Sequence, residues 1–273
     1  MTRFCLNIGF LFLELPYLER FAAVRRAGFD AVEFAWPNVA WDDLTTAVHE
    51  ADVRVAQMNM DAGDLAAGER GWASHPGSVA RWRDALSAAF ELAAALDCPR
   101  INVLAGNAPV GSRRSDLERC LTENLRWALP RASAEQRVLL LEVLNARDTP
   151  AYLFTDSALA AEVVAALANP ALRLQFDTYH IASGGEEPAS RLRELGPLIG
   201  HVQVADVPGR HEPGSGEIDF AAFFRALDAI GYGGAVGLEF VPSRTTEASL
   251  AWLPTAARRW NDRPSRPRAS RAG

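Results

Sequence analysis

Short apolar runs alternate with longer, mixed stretches along the chain. The runs cover 4–8, 31–35, 53–59, 100–104, 138–142, 172–177, 199–205 and 235–240, and their length and composition predict strands. Between them, 17–27, 41–51, 77–96, 114–129, 156–168, 188–196, 219–230 and 246–260 read as helices. Trp82, Leu86, Ala89, Phe90 and Ala93 recur at the three- and four-residue spacing of one helical face. Stop signals agree: Gly28 follows the first helix, Pro99 precedes the fourth strand, and Asn169-Pro170 precedes the sixth. Eight strand–helix units predict an α/β fold, a closed (β/α)8 TIM barrel in a single domain over 1–260. An open doubly wound sheet would carry a glycine-rich phosphate turn after its first strand. Gly9-Phe10-Leu11-Phe12-Leu13-Glu14 is not such a turn.

Composition narrows the partners. The 273 residues suit one barrel, which typically takes about 250, and 49% hydrophobic content supplies its core. A net charge of −6 argues against a nucleic-acid surface, which shows a basic stripe. Cys5, Cys98 and Cys120 are too few and scattered for a disulfide scaffold or a zinc motif, so buried thiols in a reducing compartment are expected. The apolar start is interrupted by Asn7 and Gly9 and is too short to span a bilayer, so a cytoplasmic protein without a membrane partner is expected. Residues 261–273 are rich in Pro, Arg and Ser and read as a disordered basic tail. The sequence leaves a homo-oligomer open.

The chemistry concentrates at strand ends. Glu142, Asp177, Gln203 and Glu239 stand at or near the ends of the fifth to eighth apolar runs. In a barrel these ends line the mouth where reactions occur. Neighbouring strands lie about 4.8 Å apart, so four adjacent tips can ring one ion. An all-oxygen donor set predicts Mg²⁺ or Mn²⁺ rather than zinc. Glu142 and Glu239 can then flank a substrate. A carbonyl polarised by the ion makes the neighbouring C–H acidic, one glutamate takes that proton, and the other returns one to the adjacent carbon. The predicted chemistry is an aldose–ketose isomerisation of a small molecule. His180, three residues past Asp177, stands at the rim as a substrate contact, and His201 is placed behind Gln203. Two long connections, 60–76 and 206–218, fall on the same face as lids or binding loops. Each carries an arginine, Arg70 and Arg210, suited to a substrate carboxylate, and Asp148 points into the same mouth to orient a hydroxyl.

Particular segments carry a resemblance. They are Gly28-Phe29-Asp30-Ala31-Val32-Glu33-Phe34, Ala62-Gly63-Asp64 with Ala66-Ala67-Gly68-Glu69-Arg70-Gly71, and Glu123-Asn124-Leu125. Further along come Gln175-Phe176-Asp177-Thr178-Tyr179-His180, Gly200-His201-Val202-Gln203-Val204-Ala205-Asp206, and the run from Gly209-Arg210-His211-Glu212 to Ile218. From residue 3 to about 256 the chain resembles the hydroxypyruvate isomerase family, part of the xylose-isomerase-like barrels that also include sugar epimerases and endonuclease IV. The resemblance implies interconversion of hydroxypyruvate and tartronate semialdehyde, a small hydroxy-oxo acid pair, with Glu142 and Glu239 as the acid/base pair. A similar branch acts on 2-oxotetronate.

The sequence departs from the family pattern at Asp61 and Leu65, where proline and tryptophan are usual, at Val143 in place of proline, and at Phe240-Val241 in place of a tyrosine–lysine pair. These changes bear on substrate identity. An endonuclease-like phosphodiesterase needs a histidine-rich zinc site and a basic face, against five histidines and net −6 here. A sugar-binding barrel without catalysis is the remaining rival, and both glutamates speak against it.

Overall fold

The predicted apolar runs form strands to within two residues at either end. They are β1 (Arg3–Asn7), β2 (Ala31–Phe34), β3 (Arg54–Asn59), β4 (Arg100–Asn102), β5 (Val138–Glu142), β6 (Leu172–Asp177), β7 (Ile199–Val204) and β8 (Ala235–Leu238). All pair in parallel and in chain order, and β8 pairs back onto β1 to close a barrel. The structure, a computed structural model, describes residues 2–260. The proposed tail at 261–273 lies outside them. Among the described residues no helix is long and apolar enough to cross a membrane.

The outer layer contains α1 (Glu19–Arg26), α2 (Trp41–Glu50), α3 (Val79–Ala95), α4 (Arg114–Ala134), α5 (Ser157–Leu167), α6 (Thr178–Ser183), α7 (Pro188–Leu195), α8 (Phe220–Ala229) and α9 (Thr246–Ser249). Local chemistry sets several starts. Asp156, Glu187 and Asp219 each accept backbone N–H bonds at the first turn of α5, α7 and α8, which satisfies donors that a helix start leaves orphaned.

Helix boundaries depart from the sequence reading in three places. The helix α4 continues past Pro130 to Ala134, because Leu129 and Ala132 remain buried on its inner face. The expected helix at 246–260 is reduced to the single turn α9 and a 3₁₀ turn at Thr255–Ala257. Pro254 interrupts it, and the Arg258 guanidinium folds back onto the carbonyls of Ala27, Leu250 and Leu253. The short helix α6 is unforeseen; it starts directly at Asp177, whose carboxylate accepts from Tyr179 N at 2.9 Å.

Residues two apart on a strand share a face, and contacts between non-adjacent strands identify the inward one. Gln57 of β3 donates to Gln175 of β6, Arg100 of β4 reaches the Gly200 carbonyl of β7, and Gln203 of β7 reaches Glu33 of β2. Much of the barrel interior is therefore polar. The outward positions, among them Leu6, Val32, Met58, Leu141 and Phe176, are apolar and merge with helix residues such as Phe21, Trp82, Phe90 and Phe223 in one core. Phe223 stacks on Phe176 with centroids 6.1 Å apart and meets Phe220 and Phe224 edge-on. Strand alternation thus separates a stabilising outer layer from a polar inner one.

Phe223 is fully buried in that outer layer. Phe223→Ala is expected to destabilise the protein by about 3–5 kcal/mol through lost burial and a residual cavity, read as a lower urea midpoint. A loss under about 1 kcal/mol would contradict the assigned role of this aromatic cluster.

Candidate active site

Glu142 ends β5, Asp177 ends β6, Gln203 lies one residue before the end of β7, and Glu239 follows β8 directly. The strand ends bring all four to one mouth. Carboxylate atoms of Glu142 and Asp177 and a ring nitrogen of His180 lie within 4.8 Å of one another. Asp177 Oδ2 and Glu239 Oε1 share the Arg210 guanidinium at 2.9 and 2.5 Å. Glu239 Oε2 accepts from Asn7 Nδ2 at 2.8 Å and also from Gln203 Nε2. Glu142 Oε2 accepts from Asn102 Nδ2 at 2.6 Å.

Glu142 and Asp177 are buried, and the Glu239 side chain is only 12% exposed. Burial penalises the charged form of a carboxylate and a like charge nearby adds to it. Burial first, then the Asp177 charge, pushes Glu142 up to about 7. Burial drives Glu239 well above the usual carboxylate range although Arg210 opposes it. Asp177 is raised for the same first reason, with Arg210 again opposing.

His180 sits in α6 with Nδ1 accepting the Asn145 backbone N–H at 3.1 Å. In the neutral ring Nε2 therefore holds the proton, and it faces Asp177 Oδ2 at 3.7 Å. Burial, followed by the Arg210 and Arg70 charges, lowers the His180 pKa well below the usual imidazole value, so the ring is neutral near pH 7. Asp148 Oδ2 accepts from Tyr179 Oη at 2.8 Å and Asn145 Nδ2 at 3.0 Å, tying the β5 and β6 loops together beside the histidine. Arg70 donates to the carbonyls of Leu65 and Glu69, so its guanidinium braces the loop that carries it.

The loop at 206–218 is built around Asp206. This buried carboxylate accepts the backbone N–H groups of Val207, Gly214, Gly216 and Ile218 at 2.8–3.0 Å. Glu212 fastens the same loop to the one after β8 through Ser243. Arg210 takes a left-handed φ of 57°, and its guanidinium lies between the rings of Phe10 and Tyr179, 4.7 and 4.8 Å from their centroids. The loop at 60–76 helps enclose a cavity of about 690 Å³ lined in part by Asn59, Asp61, Asp64, Glu69 and Arg81.

Glu142, Asp177 and Glu239 suit a hard divalent cation by chemistry. With Glu33 beneath them, three buried carboxylates and the largely covered Glu239 are gathered here, Arg210 pairing with Asp177 and Glu239, and that concentration of acidic groups favours a bound cation. Gln203 is placed differently from the sequence expectation: Nε2 faces Glu239 and Glu33, while Oε1 accepts from Gln175 Nε2 at 2.8 Å. As a ligand it would have to give up that bond from Gln175.

Sequence reasoning missed Asn7, Glu33, Asn102, Asn145, Gln175 and Tyr179. A detectable signal existed for Glu33, a carboxylate inside an otherwise apolar strand. The others are amides and a phenol whose roles depend on partners distant in the chain.

A family model described as xylose isomerase-like TIM barrel matches residues 21–256. The chain is 36% identical to hydroxypyruvate isomerase of Escherichia coli over 254 residues, covering 93% of this chain and 98% of that protein. It is 37% identical to 2-oxo-tetronate isomerase of Cupriavidus necator over 258 residues, with 93% and 98% covered. A crystal structure described as AP endonuclease, family 2, from Brucella melitensis superposes with a TM-score of 0.89 at 34% identity, covering 92% and 98%. With a closed eight-stranded barrel and these relatives along nearly its whole length, the chain belongs to the hydroxypyruvate isomerase family of xylose isomerase-like TIM barrels.

Proposed function

We propose that this protein is an aldose–ketose isomerase interconverting hydroxypyruvate and tartronate semialdehyde. The observation that carries this reading is the pair of glutamates, buried Glu142 and largely covered Glu239, delivered by β5 and β8 to one mouth with Asp177 and Arg210 beside them. Burial pushes Glu142 up to about 7 and raises Glu239 well above the usual carboxylate range, so neither is fixed as an inert surface anion.

Isomerisation removes a proton from C3 of hydroxypyruvate and places one on C2, while the hydroxyl proton passes from O3 to O2. One glutamate accepts the C3 proton and the other protonates C2, through an enediolate. Glu142, Asp177, Gln203 and Glu239 would hold Mg²⁺ or Mn²⁺, with Gln203 turning its oxygen inward. When bound, that cation supplies electrophilic polarisation of the substrate carbonyl. The neutral His180 donates to a substrate oxygen from Nε2. Arg210 and Arg70 bind the carboxylate, and Asp148 orients the hydroxyl end. Both long loops exclude water from the enediolate. The buried free thiols of Cys5, Cys98 and Cys120 suit a reducing, cytoplasmic setting.

A second reading, isomerisation of 2-oxotetronate, rests on the named Cupriavidus relative and on the changed loop positions. Leu65 and Val241 are exposed on the mouth loops, where they alter what a longer substrate meets. Ranking hydroxypyruvate, tartronate semialdehyde and 2-oxotetronates by kcat/KM decides between the two. A 2-oxotetronate at the head of that ranking reverses the preference.

Glu142→Gln and Glu239→Gln are each expected to lower kcat by about 10²–10⁴-fold and to abolish solvent-deuterium incorporation at the substrate carbon. Appreciable exchange in a folded variant would remove that glutamate from proton transfer. Stripping divalent cations is expected to suppress turnover, with Mn²⁺ or Mg²⁺ restoring it. Unchanged rates after thorough chelation would take the cation out of the scheme.

A further inference from the structure

The seam between β4 and β5 changes character at the mouth. Val103 N donates to the Leu140 carbonyl at 2.8 Å, a rung of the parallel ladder that pairs Asn102 with Leu140. Such rungs are evenly spaced along a parallel pair, so two residues further on the next would join Ala105 N to the Glu142 carbonyl. A phenol stands there instead. Ala105 N donates to Tyr152 Oη at 2.9 Å, and Tyr152 Oη donates to the Glu142 carbonyl at 3.2 Å. A direct rung would bring that nitrogen and oxygen to about 3 Å from each other, which leaves no room for a third atom between them.

The inserted hydroxyl is well supported. Tyr152 is buried, and its backbone forms an antiparallel bridge with Asn107. On either side Ala108 N donates to the Ala151 carbonyl at 2.6 Å, and Leu153 N donates to the Gly106 carbonyl at 3.1 Å. A short antiparallel ladder therefore straps the loops that follow β4 and β5. Burial raises the pKa of the phenol above its ordinary value, so it keeps its proton. Only a protonated hydroxyl can accept from one backbone group while donating to another.

Glu142 is thus held from the β4 side at two points. Its carbonyl meets Tyr152, and its carboxylate accepts from Asn102 Nδ2 at 2.6 Å. The separation of the two strand tips sets both contacts. We propose that Tyr152 is a positioning residue: its hydroxyl wedges the tips of β4 and β5 apart and so aims the Glu142 carboxylate into the mouth.

This inference rests on the assignment of Glu142 to proton transfer. Tyr152→Phe keeps the buried ring and removes only the hydroxyl, so a role in packing alone predicts no change. The kcat for hydroxypyruvate is expected to fall about 10–100-fold, the range for groups that orient a functional side chain from behind. KM should move far less, since binding shared by ground state and transition state is untouched. In a Glu142→Gln background the same substitution should cost little more, because residues acting through one another are not additive. Full kcat in folded Tyr152→Phe protein, or an equal loss with and without Glu142, would overturn the assignment.

A crystal structure of the Tyr152→Phe protein separates this inference from the proposed reaction. A Glu142 carboxylate displaced as Ala105 N closes on its carbonyl supports the wedge, and an unmoved carboxylate refutes it. If the variant does not fold, neutron diffraction of wild-type crystals in D₂O decides instead. Phenolic deuterium directed at the Glu142 carbonyl supports the inserted rung, and deuterium aimed elsewhere refutes it. Wild-type protein that leaves hydroxypyruvate unchanged would remove the reaction, while diffraction would still decide the part played by Tyr152.

Discussion

The accumulation of buried negative charge at one end of the barrel is the constraint around which this molecule is organised. Glu33, Glu142, Asp177 and Glu239 are gathered where water cannot solvate them freely, with Arg210 paired to Asp177 and Glu239. Uncompensated burial of carboxylates costs far more than a domain's net stability. Each is accordingly met by donors: Asn102 at Glu142, Tyr179 N and Arg210 at Asp177, and Asn7, Gln203 and Arg210 at Glu239. The lower carboxylate has the best compensation. Burial alone pushes Glu33 up, yet the adjacent His201 and hydrogen bonds from His201, Gln203 and Cys5 hold it below the usual range. The upper carboxylates, Glu142, Asp177 and Glu239, are left raised.

Stability and chemistry occupy opposite faces of the same strands. Outward side chains are apolar and join the helices in one continuous core, where burial dominates the free energy. Inward side chains form a hydrogen-bonded set crossing the lumen, from Asn59 through Gln57 and Gln175 to Gln203 and Glu33. Such a set holds its members in fixed orientations only while each polar atom is satisfied. The helical layer tolerates exchange of one apolar side chain for another of similar volume, and the lumen does not.

The loops complete the site with a different kind of support. Asp206 gathers four backbone N–H groups, so the segment bearing Arg210 is held by its own carboxylate rather than by apolar contact. Glu212 and Ser243 then couple that segment to the residues after Glu239. The side chains at the departures Leu65 and Val241 are exposed, while the Val241 backbone N–H donates to the Arg210 carbonyl at 2.7 Å.

Periodicity by itself determined the number, order and approximate limits of the eight strands, because alternating burial and helical spacing are local properties. It also marked Glu142, Asp177, Gln203 and Glu239, since a polar residue ending an apolar strand is visible in the chain. Only the tertiary structure decided what surrounds them. Asn7 and Glu239 are 232 positions apart, and Gln203 and Glu33 are 170 apart, so no sequence window joins them. The breaking of the last helix at Pro254 and the turn of Gln203's nitrogen toward two carboxylates were likewise settled by partners that barrel closure supplies. Hydrogen bonding is directional and short-ranged, and its partners exist only once closure has brought distant strands together.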